Sequence, residues 1–157
     1  MDRRIFGLAA ALVVAAPMPA AAQAPATSKA DVMAVVRQFV DAFNKGDVNA
    51  MSATCAEQAA IIDEFPPYAW QGPGTCARWA SDYDVDAKTN GIADPVVALG
   101  KPAHVDVTGD RAYVVGPANY SYKVKGKAAR EVGSILTIAL YKGTAGWRIT
   151  GWSWAKH

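Results

Sequence analysis

Residues 34–51, "AVVRQFVDAFNKGDVNAM", decide the fold. Val35, Val36, Phe39, Val40 and Phe43, preceded by Val32, recur at helical spacing and form one wide apolar stripe. Ser28 and Asp31 stand three apart, in the manner of a capping box, so the helix is expected to begin at Ser28. Asn44-Lys45-Gly46 ends it, because Gly46 can adopt the left-handed conformation. Asp47 is placed to cap a short second helix over residues 48–55, with Met51 and Cys55 turned inward.

Downstream, residues 59–64 read as a strand and 65–72 as a turn held by Pro66 and Pro67. Pro73 suits the first turn of a third helix, whose apolar face carries Cys76, Trp79, Ala80 and Tyr83. Residues 82–91 are acidic and then loose. From Pro95 onward the period changes to two. Residues 96–99, 104–107, 111–122, 135–141 and 147–154 are strand-like, divided by turn signals at 108–110, 125–127 and 142–146. Helices first and antiparallel strands after them predict an α+β domain, with the helices on one face of a curved sheet.

The beginning of the chain reads differently. Arg3 and Arg4 precede an apolar run over 5–16, which Pro17 and Pro19 break, and Ala20-Ala21-Ala22 offers a cleavage signal. The run is shorter than the roughly 20 residues needed to span a bilayer. The expected organisation is a signal peptide at 1–22, a flexible leader at 23–27 and one domain at 28–157. The product would be exported, periplasmic or secreted, with no stable membrane insertion. Cleavage would leave 14 basic against 13 acidic residues, a balance that argues against a nucleic-acid partner. Lys123, Lys125, Lys127 and Arg130 cluster around Gly126 and read as a solvated hairpin tip. In an oxidising compartment Cys55 and Cys76 could form a disulfide or remain two buried thiols. The two histidines, His104 and His157, do not make a metal site. No nucleophile elbow, P-loop or dinucleotide fingerprint occurs, so no cofactor is expected.

Residues 34–51 also resemble the opening helices of the ketosteroid isomerases and, more broadly, of the nuclear transport factor two-like superfamily, which includes SnoaL-like polyketide cyclases. "GWRITGWSW", residues 146–154, is similar to the last strand of that superfamily. The resemblance implies a cone: three N-terminal helices, a strongly curved, mostly antiparallel sheet around the long helix, and a pocket at the wide end. It also implies a homodimer through the outer sheet face. Counting from Asp47 without gaps, the family's general base falls on Asp63. Partial burial there would raise its pKa into a useful range for taking a proton from a carbon beside a carbonyl. The family's oxyanion donors are not matched: their positions fall on Phe39 and on or near Leu136. Tyr120 and Tyr122 on one strand face, and Tyr68 and Trp70 near the expected mouth, could bond a ligand oxygen or stack on a flat ligand.

Each of these residues has a plainer reading. Asp63 could simply accept backbone N–H bonds or pair with Arg78, and alternating aromatics often serve the core or a dimer surface. Glu64 alternates with Asp63 and should face solvent. An Asp63–His104 pair is suggested by dehydratases of the superfamily. In the last strand, regular alternation puts Trp147, Ile149, Gly151 and Ser153 inside and Trp152 and Trp154 on the outer face. A bulge near Gly151 would reverse that. The expected function is binding of a small apolar or aromatic ligand in the cone. The alternatives are a cofactor-independent isomerase, cyclase or dehydratase using Asp63, or a dimeric module with a filled pocket.

Overall fold

A computed structural model describes residues 29–157. The expected signal peptide, the leader and the Ser28 cap lie outside the described residues. Helix α1 spans Lys29–Asn44 and buries Val32, Val36, Phe39, Val40 and Ala42. Gly46 follows with φ 68°. Helix α2 is Val48–Ala53, with the Asp47 carboxylate accepting from the Ala50 N–H at 2.9 Å. It is shorter than the sequence suggests. Thr54 closes it through its Met51 carbonyl bond, and Cys55 already belongs to strand β1, Cys55–Ile62.

The next segment corrects the sequence reading in two places. The expected turn over 65–72 does not extend through residues 69–72. These belong to strand β2, Ala69–Pro73, paired antiparallel with β1. Pro73 therefore ends a strand, and helix α3, Thr75–Asn90, begins after Gly74. Nor is 82–91 loose, for α3 continues through it. Lys88 pairs with Asp84 and Asn90 bonds Asp86, each one turn apart, and Gly91 ends the helix at φ 69°. Strands β3 (Ile92–Leu99), β4 (His104–Thr108), β5 (Arg111–Val124), β6 (Lys127–Gly143) and β7 (Gly146–Ala155) complete the chain. The basic cluster does sit at the β5–β6 hairpin tip.

The seven strands form one sheet in the order β2-β1-β7-β6-β5-β3, with β4 also paired to β5. Only β1 and β7 run parallel. The fold is α+β, with the helices packed on the concave face of the curved sheet. Asn44, which the sequence marks only as a helix end, ties α1 to β3. Its amide accepts from the Val97 N–H at 2.7 Å and donates to the Val97 carbonyl at 2.9 Å. Cys55 and Cys76 form a disulfide that joins β1 to α3. Closing a loop of that length contributes about 3 kcal/mol in the chain-entropy description.

Two bulges set which side chains face inward. In β6, Ser134 pairs with Ala118 and Glu131 with Tyr120, so Val132 and Gly133 together oppose Asn119. Gly133 takes φ 81° and its N–H is held by the Asn119 side chain at 3.0 Å. The extra residue lets Glu131, Ser134, Leu136, Ile138 and Leu140 all be buried. In β7, Ile149 pairs with Leu140 and Gly151 with Ala139, which leaves Thr150 as the extra residue. Trp147 and Ile149 point inward before it, and Trp152 points inward after it. The outer-face placement of Trp152 and Trp154 is thereby overturned: the bulge shifts the phase by one.

Candidate functional site

Strand β1 ends at Ile62, and Asp63 and Glu64 follow in the loop to β2. Both carboxyls line a cavity between the concave sheet and the helices. The hollow and the solvent open at its mouth together span about 690 Å3. Its walls come from α1 (Phe39, Val40, Phe43), α3 (Trp79, Tyr83, Asp86), β3 (Ile92, Val97), Tyr120 of β5, Leu136 of β6, and Trp152 and Trp154 of β7, with Phe65 beside the acids. The aromatic rings brace one another. Trp79 stacks on Tyr83 at 5.6 Å and meets Trp152 edge-on at 5.0 Å, while Phe39 lies 5.9 Å from Trp152.

Asp63 is fixed by two donors. The Trp79 indole N–H donates to Oδ2 at 2.8 Å, and the Glu64 backbone N–H donates to Oδ1 at 2.8 Å. The Arg78 pairing does not occur: Arg78 turns outward and donates to the Gln71 carbonyl. Burial among apolar groups raises the Asp63 pKa to about 6, against the pull of its two donors, and the charge of Glu131 adds to the rise. Glu64 is not turned to solvent. Having left the strand, it escapes the alternation rule and lines the cavity beside Asp63. Burial raises its pKa to about 7, helped by a hydrogen bond and charge repulsion from Glu131, while Lys156 opposes.

Glu131, Tyr83 and Lys156 are site residues that the sequence did not single out. Lys156 donates to Glu131 at 2.9 Å and reaches Glu64 at 3.2 Å. The Trp154 indole N–H also donates to Glu131, at 3.3 Å. Attraction to these two acids raises the Lys156 pKa. Between α3 and β5 the Tyr83 and Tyr120 hydroxyls share a hydrogen bond of 2.6 Å. Burial raises the pKa of both phenols, so each is held as a neutral hydroxyl. Tyr83 was visible only as one more apolar-face residue of α3, and Glu131 lies ahead of the expected start of β6. Its inward aim depends on a bulge that only the Gly133 backbone reveals.

The remaining expected site residues separate clearly. Phe39 and Tyr120 line the cavity, as does Leu136. Tyr122 does not. It is half-buried, stacks on Tyr120 at 4.5 Å and backs the wall. Trp70 faces away from the cavity mouth: it is buried against Phe65 and gives its indole N–H to Asp82 at 2.7 Å. Tyr68 is exposed at φ 69°, on the far side of the Pro66-Pro67 turn. His104 is exposed on β4 and forms no part of the cavity wall, so the Asp63–His104 pair is absent. Among the described residues, no group of three or more His, Cys, Asp or Glu is placed to hold a metal ion.

The model of the SnoaL-like domain matches residues 32–153. The chain belongs to the SnoaL-like family. This SnoaL-like domain lies within the nuclear transport factor two-like superfamily, and its structural relatives share the fold at low identity. A protein from Novosphingobium aromaticivorans described as a candidate aromatic ring hydroxylase matches with a TM-score of 0.69 and 14% identity, over 85% of this chain and 92% of that one. A Streptomyces avermitilis protein described as a candidate dehydratase of the NTF2-like family matches at 0.67 and 17%, over 82% and 95%. A ketosteroid isomerase-like protein from Erwinia carotovora atroseptica matches at 0.64 and 19%, over 81% and 94%. No curated protein matches the SnoaL-like chain.

The raised pKa of Asp63 has a consequence for stability. Its folded value, about 6, lies above the ordinary 3.8, so the folded chain holds more protons than the unfolded chain between these values. The contribution of this group is fully present below about pH 4 and falls as pH rises through 6. Asp63→Asn cannot ionise. Relative to wild type it is expected to gain about 2 kcal/mol between pH 4 and pH 7. Paired urea denaturation of both proteins at the two pH values measures this. A difference that does not change with pH contradicts the burial of an ionising carboxyl.

Proposed function

We propose that the domain binds a small, flat, apolar or aromatic molecule in the cavity, with Asp63 and the Tyr83–Tyr120 hydroxyl pair orienting its polar end. The observation that carries this reading is the cavity wall: interlocked rings, with two kinds of polar group, a carboxyl and a hydroxyl pair, set among them. The pocket is not filled by its own side chains, which disfavours a purely structural module. Export to the periplasm or medium remains part of this proposal, supported by the charged, apolar and small-residue pattern of residues 1–22. So does a homodimer through the outer sheet face, where Tyr113 and Ile135 stand exposed on neighbouring strands.

A second reading is favoured by one observation. Asp63 combines a pKa near neutrality with a fixed orientation inside an apolar space, and neutral hydroxyl donors stand in the same space. A carboxylate so placed can take a proton from a carbon beside a carbonyl while a tyrosine hydroxyl donates to the developing enolate oxygen. Tyr83 and Tyr120 would then serve where Phe39 and Leu136 have no donor. This is the chemistry of a cofactor-independent isomerase, cyclase or dehydratase.

Binding is tested with 2-naphthol, read by quenching of tryptophan emission. Saturable quenching is expected. Leu136→Trp, which fills the cavity, should abolish it, and Tyr120→Phe should weaken it several-fold. Quenching unaffected by Leu136→Trp contradicts the proposed site. Proton transfer is tested by following deuterium uptake into 2-tetralone by NMR in heavy water at pH 7.5. The wild type is expected to accelerate exchange and Asp63→Asn to return it toward the buffer rate. Equal rates with and without the protein would remove the catalytic reading and leave the binder.

A further inference from the structure

The cavity wall has a lopsided chemistry. Eight aromatic side chains line it, with three carboxyl groups, Asp63, Glu64 and Asp86, and no Lys, Arg or His among its lining residues. A neutral apolar ligand has no use for three acids. An anionic ligand would be repelled by them. We propose that the natural ligand is an organic cation: an apolar or aromatic molecule carrying a protonated or quaternary amine, with the amine held against the ring faces and beside Asp63. This rests on the pocket reading above and names its ligand class.

Two features of the site support the assignment. Ring faces carry negative potential and attract a cation within about 6 Å, tryptophan most strongly, and Trp79, Trp152 and Trp154 all contribute to this wall. The acids are also arranged so that a positive charge is wanted. Lys156 is not a lining residue; it pairs with Glu131, buried behind the wall, and with Glu64, one of the three lining carboxyls. Asp63, bonded to Trp79, and Asp86, on α3 beyond Tyr83, line the cavity without a basic partner in its wall. Holding Asp63 ionised in that space costs free energy, as its raised pKa reports, and an ammonium group entering the cavity offsets that cost.

The titrating and charged groups around the cavity are few, and each has a definite effect. Asp63 and Glu64 come from the β1–β2 loop, Asp86 and Tyr83 from α3, Tyr120 from β5, Glu131 from β6 and Lys156 from the tail of β7. Helix α1 and strand β3 present only apolar side chains to it. Both tyrosines stay neutral throughout the ordinary range. The charge of the wall therefore becomes more negative through about pH 6 to 7, as Asp63 and Glu64 ionise. Cation affinity must rise over the same interval.

The test compares two probes of nearly equal shape, phenyltrimethylammonium and tert-butylbenzene, by tryptophan fluorescence on the full folded domain. At pH 8 the cation is expected to bind about tenfold more tightly than its neutral counterpart. That advantage should shrink several-fold at pH 5, and fall several-fold in Asp86→Asn at pH 8. A second readout has opposite signs for the two ligand classes. Bound cation should lower the Asp63 pKa, followed by side-chain carbon NMR, whereas a bound neutral molecule should raise it by further desolvation. Equal or tighter binding of tert-butylbenzene, or a raised Asp63 pKa with the cation bound, overturns the cation assignment and leaves the pocket reading intact. Failure of both probes while 2-naphthol binds also overturns it. Failure of all three removes the pocket reading with it.

Discussion

The backbone contact between Gly151 and the Ala60 carbonyl is the constraint on which the site depends. A Cβ at position 151 would lie 2.9 Å from that oxygen, so only glycine lets β7 lie this close to β1. The contact sits in the one parallel pair of an otherwise antiparallel sheet, where Ala60 is the register partner of Gly151 and Ile61 of Trp152. Parallel pairing sends β1 and β7 toward the same end of the sheet. Asp63 therefore leaves β1 at the end where Trp152 and Trp154 face inward. The bulge at Thr150, immediately before Gly151, completes the arrangement by turning those two rings toward the acid rather than away from it.

From this one contact the polar features of the site follow in order. Helix α3 is bound to β1 through the Cys55–Cys76 disulfide, and the Thr75 hydroxyl sits between the Gly72 carbonyl of β2 at 2.7 Å and the Ala59 carbonyl of β1 at 3.2 Å. One turn beyond Cys76, Trp79 comes within reach of Asp63 and fixes it. One turn further, Tyr83 meets Tyr120 across the cavity. The acid and the hydroxyl pair are thus spaced by helix geometry rather than by a flexible loop. Rigid spacing of this kind is what orienting a ligand requires.

Much of the scaffold was legible in the sequence, because hydrophobic period and turn chemistry are local. The stripe from Val32 to Phe43, the Gly46 stop and the alternation of the later strands each led directly to an element. The alignment that put Asp63 in the base position led to a residue in the cavity wall. What escaped the sequence depends on non-local pairing. Residues 69–72 look like part of a turn until β1 is there to pair with them, and α3 outlasts its apolar face because pairs such as Lys88–Asp84 sustain it. Two bulges reversed the facing of whole strand segments, which is why Glu131 was passed over and Trp152 and Trp154 were placed outside. Tyr68 and Trp70 were near the right residues in sequence. The backbone around Pro66-Pro67 turns one to solvent and the pairing with Ile61 sends the other into the core beneath the site.

Of the three carboxyls that line the hollow, Asp63 is the one held there by an indole N–H, that of Trp79. The most direct measurement is a side-chain carbon NMR titration of Asp63 in the ligand-free domain, assigned by comparison with Asp63→Asn. A midpoint near 6 is what burial against two hydrogen-bond donors predicts. A midpoint near 3.8, the ordinary value for an aspartate in water, would place the carboxyl in solvent and contradict the account.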